Sequence, residues 1–231
     1  MSTLKPQQLA GVDLLRGLSS QELDEIAHKL HVRHWPAGHC FVNFRDESHD
    51  VYFVLEGRVR VTVYSEAGRE VSFRDLEQGA SFGELAAIDR KPRSANVIAI
   101  TNAVVASITA NDFMETVRRY PAVAEAALRK LVALVRSLSQ RVYEFSEPVP
   151  VRICNELIRL GEANSTDTRT ARLRPPPKHA EIASRVNTHR EAVSRLMSQL
   201  ARLGIVERVR GELVVRDIRR LKAFGEQLHD A

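Results

Sequence analysis

The sequence predicts an α+β protein: an N-terminal β jelly roll, a long helix and a C-terminal winged helix-turn-helix. Three observations support this prediction. Short runs of alternating apolar and polar residues, separated by glycines, fill residues 32–108. An apolar heptad stripe follows Pro121. Two closely spaced helical patterns and a hairpin that turns at Gly211 lie near the C-terminus. We expect domains at residues 1–120, 121–147 and 148–231.

The jelly roll is predicted from β-rich runs that end at turn-forming glycines. Arg58–Tyr64 (RVRVTVY) alternates strictly, and the runs DVYFVLEG, REVSFRDL and ANVIAITNAVVASI are similar in character. Gly57, Gly68, Gly79 and Gly83 stand between or after them. Many short strands with glycine turns are typical of a sandwich or jelly roll. The segment from Leu14 to Trp35 is predicted to be helical, with Ser19 or Ser20 as its N-cap.

The long helix carries apolar residues three and four positions apart in alternation. They are Leu128, Leu131, Val135, Leu138, Val142 and Phe145. This spacing is typical of a dimeric coiled coil, and the alternative is a helix that packs on its own domain. Pro148 and Pro150 cannot continue a helix, so residues 147–151 are predicted to form a hinge.

Two helices with a short turn are predicted in the C-terminal domain. The first is Lys178–Val186, and Asn187 tolerates the left-handed backbone that a tight turn needs. Thr188 is predicted to cap the second helix, which runs to Leu203 and stops at Gly204. The hairpin after it would be the wing.

The second helix has two contrasting faces at 100° per residue. Its apolar face contains Val193, Leu196, Met197, Leu200 and Leu203, and its polar face contains Arg190, Glu191, Ser194, Arg195 and Ser198. Arginine can bond guanine and glutamate can accept from cytosine in the major groove, so the polar face suits DNA. Alternatively, Glu191 forms a capping box with Thr188 and has no role in base recognition.

The positive charge is concentrated in the last third of the chain. The protein has 231 residues, 44% of them hydrophobic, and a net charge of +5. From Val151 onwards there are 16 basic and 10 acidic residues, against 18 and 19 before it. This asymmetry predicts a polyanionic partner for the C-terminal domain, although an ordinary basic surface would look the same.

Several classes of protein are disfavoured. Cys40 and Cys154 are far apart and form no CxxC pair, and the sequence shows neither a secretory signal nor a bilayer-spanning segment. We therefore expect a cytoplasmic protein without membrane association. No nucleophile–base pair indicates an enzyme. His28, His31, His34 and His39 are spaced 3, 3 and 5 residues apart across a helix and the following segment, so we expect no metal site.

The stretch Phe82–Ala95 (FGELAAIDRKPRSA) carries the most specific chemistry. It could be a loop with a surface ion pair, or a pocket for a ligand with hydroxyls and a negative charge. A cyclic nucleotide has both: Glu84 can accept from the ribose hydroxyl, and Arg93 and Ser94 can donate to the phosphate. Gly83 allows close backbone approach, and the N–H groups from Gly83 to Ala86 favour an anion.

This stretch closely resembles the phosphate-binding cassette of cyclic-nucleotide-binding domains. The order of the domains resembles that of the cyclic-AMP receptor protein (CRP/FNR) family of bacterial transcription regulators, over nearly the whole chain. The resemblance implies an allosteric, DNA-binding homodimer that also meets RNA polymerase. It implies a nucleotide site made by the cassette residues Gly83, Glu84, Leu85, Ala86, Arg93, Ser94 and Ala95.

The resemblance also implies a DNA site. Arg190–Arg195 (REAVSR) resembles the family's recognition pattern R-E-x-x-x-R, which implies TGTGA-type half-sites in a palindrome. The implied DNA-binding residues are Lys178, His179, Thr188, His189, Arg190, Glu191, Ser194 and Arg195, of which Lys178 and His189 would meet backbone phosphates.

The residues expected at the purine differ from those of the best-known cyclic-AMP receptors. Where the best-known cyclic-AMP receptors have Thr-Ser on the long helix, this chain has Leu138 and Ser139, and Phe73 and Arg74 would lie near the base. Cyclic AMP is the expected effector, and cyclic GMP or relaxed choice stays open. A regulator of the same architecture that senses haem or redox state is the main alternative.

Overall fold

A computed structural model describes residues 6–64, 70–162 and 169–228, without the side chains of Pro6, residues 70–73 and Glu162. Gly68, one of the predicted turn glycines, lies outside the described residues. The chain divides into two compact units, residues 1–135 and 136–231.

The first unit contains two four-stranded antiparallel sheets. Their strands are β1 (His31–Trp35), β2 (Cys40–Val42), β3 (Val51–Glu56), β4 (Arg58–Tyr64), β5 (Glu70–Glu77), β6 (Ser81–Phe82), β7 (Asn96–Ala99) and β8 (Ala103–Ile108). One sheet has the order β1-β8-β3-β6 and the other β2-β7-β4-β5. The predicted runs all form strands, and non-sequential neighbours such as β3 and β8 give the crossed connections of a jelly roll.

The sheets enclose one core, and helices cover the outer face of the first sheet. Val54 and Val105 from the first sheet share a buried cluster with Val59 and Val97 from the second. On the other face, Phe53 packs among helical side chains. Strand β3 is therefore buried on both sides, which explains its almost uninterrupted apolar sequence.

The helices that precede the long helix are short. They are α1 (Pro6–Leu9), a 3-10 turn at Asp13–Leu15, α2 (Ser20–Ala27), α3 (Glu84–Asp89) and α4 (Ala110–Arg119). Ser19, one of the two predicted N-caps, caps α2 and forms a reciprocal capping box with Glu22. The prediction of helix up to Trp35 was wrong, because His31–Trp35 pairs antiparallel with β8 as strand β1.

The long helix α5 spans Pro121–Ser146. Val123 and Ala127, near its start, are buried in the core of the first unit. Most of the predicted heptad residues are exposed, among them Val135 at 62% and Val142 at 71%. The alternative in which this stripe packs on its own domain therefore does not hold for these side chains.

The second unit is a helical domain with a three-stranded sheet. Its elements are α6 (Val149–Glu162), β9 (Ala171–Leu173), α7 (His179–Arg185), α8 (Arg190–Arg202), β10 (Val206–Val209), β11 (Glu212–Val215) and α9 (Ile218–Gln227). The sheet order is β10-β11-β9. Pro148 precedes α6, and Pro150 lies in its first turn, where a missing N–H is tolerated. Among the described residues, no helix has the length and apolar character needed to cross a membrane.

Helices α7 and α8 form the predicted pair, with two corrections. Asn187 between them has φ 50°, as expected for the tight turn, and Gly204 ends α8 with φ 66°. Thr188 is not the cap: the N-cap residue of α8 is His189, so Thr188 lies one position too early and is buried. Leu203 was assigned to the apolar face, but it follows the helix and is 45% exposed.

Candidate functional site

The cassette turns sharply at Gly83. This residue joins β6 to α3 with φ 89°. A Cβ atom there would lie 2.7 Å from the carbonyl oxygen of Asp50 and 2.8 Å from Nη1 of Arg93. Only glycine fits the backbone angle and the space together.

Arg93 is a buried guanidinium that its surroundings satisfy only in part. It is 3% exposed. Its Nε donates to Oγ of Ser48 at 3.0 Å, and its Nη1 donates to the carbonyl oxygen of Gly83 at 3.3 Å. Its Cζ lies 5.3 Å from the ring centroid of Tyr52. Nη2 is buried and has no hydrogen-bond partner in the described parts of the chain. Burial lowers the pKa of Arg93 and raises that of Tyr52.

Glu84 is the acidic counterpart in the same cassette. It begins α3 and is 3% exposed. Its Oε2 is buried and accepts no hydrogen bond from any described residue. The ion pair formed by this carboxylate is with Nζ of Lys130 at 3.9 Å, beyond hydrogen-bond distance. The cassette thus presents one unpartnered acceptor and one unpartnered donor, the pair that a ligand with a hydroxyl and an anionic group needs.

The other predicted ligand residues differ in their surroundings. Ala86 and Ala95 are buried, whereas Leu85 and Ser94 are exposed. Arg74 is half-buried on β5 opposite Val61, and Phe73 lies at the adjacent register shift, with a side chain outside the described part of the structure.

Leu138 and Ser139, predicted to meet the base, lie on the long helix α5. Both are exposed residues of α5. They belong to the second unit, whereas the cassette belongs to the first.

Sequence reasoning missed several residues that support the cassette. Ser48 and Tyr52 contact Arg93 from the loop after β2 and from β3. Neither gave a signal in the sequence, because each is 41 or more positions from Arg93. Lys130 did give one: it lies three residues after buried Ala127 and seven after buried Val123, so it is a charged residue on the buried helix face.

A basic surface lies on α8 in the second unit. Arg190, Glu191, Ser194, Arg195 and Ser198 are all exposed. Val193 and Leu200, on the opposite side, are fully buried in the core. This is the amphipathic division that the sequence predicted. Since α8 begins at Arg190, with His189 rather than Thr188 at the N-cap position, the alternative in which Glu191 forms a capping box with Thr188 does not hold.

A cleft of about 520 Å³ lies beside this surface. It is lined by Lys178, His179, Ala180, Arg190 and Arg208. Burial, together with the charges of Arg208 and Arg190, lowers the pKa of His179. Arg208, on wing strand β10, was not predicted. A cleft with three permanently cationic side chains suits phosphate oxygens.

The structure offers no evident metal site in residues 6–64, 70–162 and 169–228. No three His, Cys, Asp or Glu side chains there come together in a way that could hold a metal ion.

Two family models match separate parts of the chain. Residues 32–120 match the cyclic nucleotide-binding domain, and residues 151–224 match the Crp-like helix-turn-helix domain. The first match contains the cassette, and the second contains most of α6, the elements from β9 to β11 and most of α9.

Whole-chain similarities agree with this division. The "Cyclic AMP receptor protein" of Thermus thermophilus is 28% identical over 220 residues, which cover 94% of this chain and 99% of that protein. A CooA mutant from Carboxydothermus hydrogenoformans has a TM-score of 0.76 at 19% identity and covers 97% of each chain. The c-di-GMP responsive regulator CLP of Xanthomonas campestris has a TM-score of 0.74 at 19% identity, covering 85% of this chain and 99% of its own. The two structures share the fold, and they confirm the predicted fold class.

Proposed function

Because this chain belongs to the CRP/FNR family of transcription regulators, we propose that cyclic AMP is its effector and that it reads a palindromic operator as a homodimer. At the level of the family it is a cyclic-nucleotide-binding, DNA-binding transcription regulator, a class that is distinct from enzymes. The identity of the nucleotide, the operator and the assembly are the parts that we propose.

One observation carries the ligand proposal: buried Arg93 and Glu84 each retain an unpartnered polar atom, Nη2 and Oε2. An unsatisfied buried polar group costs about 1–3 kcal/mol, and more when it is charged. A cyclic nucleotide removes both costs, because its phosphate accepts from Nη2 and its ribose 2′-hydroxyl donates to Oε2. Ser94 is exposed and can add a second donor to the phosphate.

The choice of cyclic AMP is supported by the relative from Thermus thermophilus, which is named for that ligand and matches over 94% of this chain. Cyclic GMP is the alternative, because Leu138 replaces a polar residue expected at the base. The similarity to a c-di-GMP responsive regulator makes that dinucleotide a further ligand worth testing.

The DNA proposal is supported by the exposed face of α8. Arg190 and Arg195 can each bond a guanine, and Glu191 can accept from a cytosine, which fits a TGTGA-type half-site. Lys178 and His189 would contact backbone phosphates. His179 would add a polar contact from the cleft, and buried Thr188 would act only through the turn before α8.

The homodimer is supported by the exposed apolar stripe of α5. Leu128, Val135 and Val142 are 64%, 62% and 71% exposed, and a second copy of the helix would bury them. Two recognition helices would then reach successive major grooves about 34 Å apart. As a transcription regulator bound to its operator, the dimer would meet RNA polymerase.

Isothermal titration calorimetry on protein stripped of nucleotide by unfolding and refolding tests the ligand proposal. We expect saturable binding of cyclic AMP, with weaker binding of cyclic GMP and of c-di-GMP. Tighter binding of either alternative would overturn the choice of cyclic AMP. No binding of any of the three would overturn nucleotide control altogether and favour a non-nucleotide signal such as haem or redox state.

A further inference from the structure

Lys130 is a cation on the buried face of the long helix. Its side chain is 11% exposed, although its neighbour Arg129 is 78% exposed. Burying an ammonium group is costly unless it is paired and hydrogen-bonded. The partners of Lys130 therefore show what holds it there.

Three segments distant in sequence meet at its ammonium group. Nζ donates to Oδ2 of Asp13 at 3.1 Å, to the carbonyl oxygen of Ser81 at 2.5 Å, and to Oγ of Ser81. The Ser81 hydroxyl in turn donates to Oδ1 of Asp13 at 2.5 Å. The three protons of the ammonium group are thereby matched to three acceptors. Ser81 begins β6, the strand that leads directly into the cassette.

Glu84 is next to this group but is not hydrogen-bonded to it. Its Oε2 lies 3.9 Å from Nζ and remains without a hydrogen-bond partner in the described residues. Lys130 thus supplies positive charge to the carboxylate while the acceptor stays available. A carboxylate oxygen can accept two hydrogen bonds, and Oε2 keeps this full acceptor capacity for a ligand.

We propose that Lys130 is a positioning residue that holds Glu84 for the ligand's ribose 2′-hydroxyl and so links occupancy of the cassette to the long helix. This inference rests on the proposed function. Without the ammonium charge the buried carboxylate loses the cation of its ion pair, and turning towards water then lowers its free energy. The hydroxyl then loses its acceptor, while the phosphate contact of Arg93 remains.

The test compares a ribonucleotide with its 2′-deoxy analogue. In the unaltered protein, the affinity for cyclic AMP is expected to be at least about tenfold higher than that for 2′-deoxy cyclic AMP. This is the difference in affinity typical of one hydrogen bond to a charged group. In Lys130→Met, which keeps the length of the side chain, that ratio is expected to fall to about threefold or less, because the acceptor is displaced. The affinity for the deoxy analogue should change little. Lys130→Arg should restore most of the preference.

Arg129→Met is the matched control, since it removes an exposed cation from the adjacent position of the same helix. It should leave the ratio unchanged. If Lys130→Met does not fold, Asp13→Asn loosens the same ammonium group from a half-exposed position and should lower the ratio in the same direction.

The possible results separate this inference from the function on which it rests. A parallel loss of affinity for both nucleotides, with an unchanged ratio, would make Lys130 a purely structural anchor and overturn the inference. Equal binding of both nucleotides by the unaltered protein would also overturn it, while leaving nucleotide binding intact. No binding by the unaltered protein would overturn the proposed function, and the inference with it.

Discussion

Arg93 donates through Nη1 to the carbonyl oxygen of Gly83 at 3.3 Å, so the last part of the cassette is joined to its first turn. Gly83 directly precedes Glu84, which begins α3. Glu84 and Arg93, which are chemically suited to the two ends of a cyclic nucleotide, are therefore linked through Gly83. We call these three residues and the Arg93–Gly83 hydrogen bond the cassette frame. Substitutions in the cassette frame should therefore reduce ligand affinity more than substitutions of similar size elsewhere in the first unit.

Replacing Gly83 with alanine tests this frame. The new methyl group would lie within 2.8 Å of the Asp50 carbonyl oxygen and of Arg93 Nη1, on a backbone with φ 89°. We expect a loss of about 2 kcal/mol or more in the free energy of unfolding, from strain and overpacking together. Cyclic-nucleotide affinity should fall at least tenfold because Arg93 must move. Urea unfolding and calorimetry measure the two effects.

Gly38→Ala is the matched control. Gly38 has φ 84°, but its added Cβ would meet no atom within 4 Å. This variant should show only the backbone cost, about 1–2 kcal/mol, with ligand affinity unchanged. Equal effects of the two variants on nucleotide affinity would contradict the role of the Gly83–Arg93 contact.

Replacing Glu191 with alanine tests base recognition by α8. Because Glu191 does not form the capping box with Thr188, its loss should leave helix stability nearly unchanged. Specificity should relax at one base position, at a cost of about 1–3 kcal/mol for the preferred base. Selection from randomised half-sites measures the base preference at each position. Gln199→Ala, on the flank of the same helix, is the control. Unchanged base preference with reduced stability would favour a structural role.

The cleft beside α8 predicts contacts with the DNA backbone. Arg208→Ala and Lys178→Ala should each weaken DNA binding similarly for all sequences. Each should also reduce the slope of log affinity against log salt by about 1, as expected for one lost phosphate contact. Arg219→Ala, an exposed residue of α9 outside the cleft, is the control. An unaltered salt slope in Arg208→Ala would remove the wing from the DNA interface.

His179 predicts a pH dependence of stability. Burial and the nearby Arg208 and Arg190 lower its pKa in the folded state below the ordinary 6.5. At a pH between the lowered pKa of the folded state and the ordinary pKa of the unfolded chain, His179 is more often protonated in the unfolded chain than in the folded protein. Acidification therefore favours unfolding. Lowering the pH from 7.5 to 5 should therefore destabilise the unaltered protein more than His179→Gln, as measured by urea unfolding. If the free energies of unfolding of the unaltered protein and of His179→Gln differ by the same amount at both pH values, His179 is not the source of the pH dependence.

The sequence was sufficient to predict those elements whose own residues show a clear periodic pattern or a turn residue. The alternation in Arg58–Tyr64 became β4, the heptad stripe became part of α5, and the left-handed turn at Asn187 was found where expected. The contrasting faces of α8 followed from its 3.6-residue period alone. Local periodicity is enough for such elements, because one buried face decides their structure.

The predictions from sequence were wrong or incomplete where tertiary contacts determine the local structure. Residues His31–Trp35 continue a helical pattern, but pairing with β8 makes them a strand. Thr188 has the chemistry of an N-cap, yet it is buried while α8 starts two residues later. The cluster of Asp13, Ser81 and Lys130 joins positions up to 117 residues apart, a contact that no local pattern reports.

The most direct test measures the affinity for a palindromic TGTGA-type operator with and without cyclic AMP, for the unaltered protein and for Arg93→Leu. We expect cyclic AMP to raise the DNA affinity of the unaltered protein at least tenfold, and to have almost no effect on a folded Arg93→Leu. Lys91→Leu, an exposed cation in the same loop, should respond like the unaltered protein. A full response in Arg93→Leu, or none in the unaltered, nucleotide-free protein, would contradict control of DNA binding by a nucleotide held at Arg93.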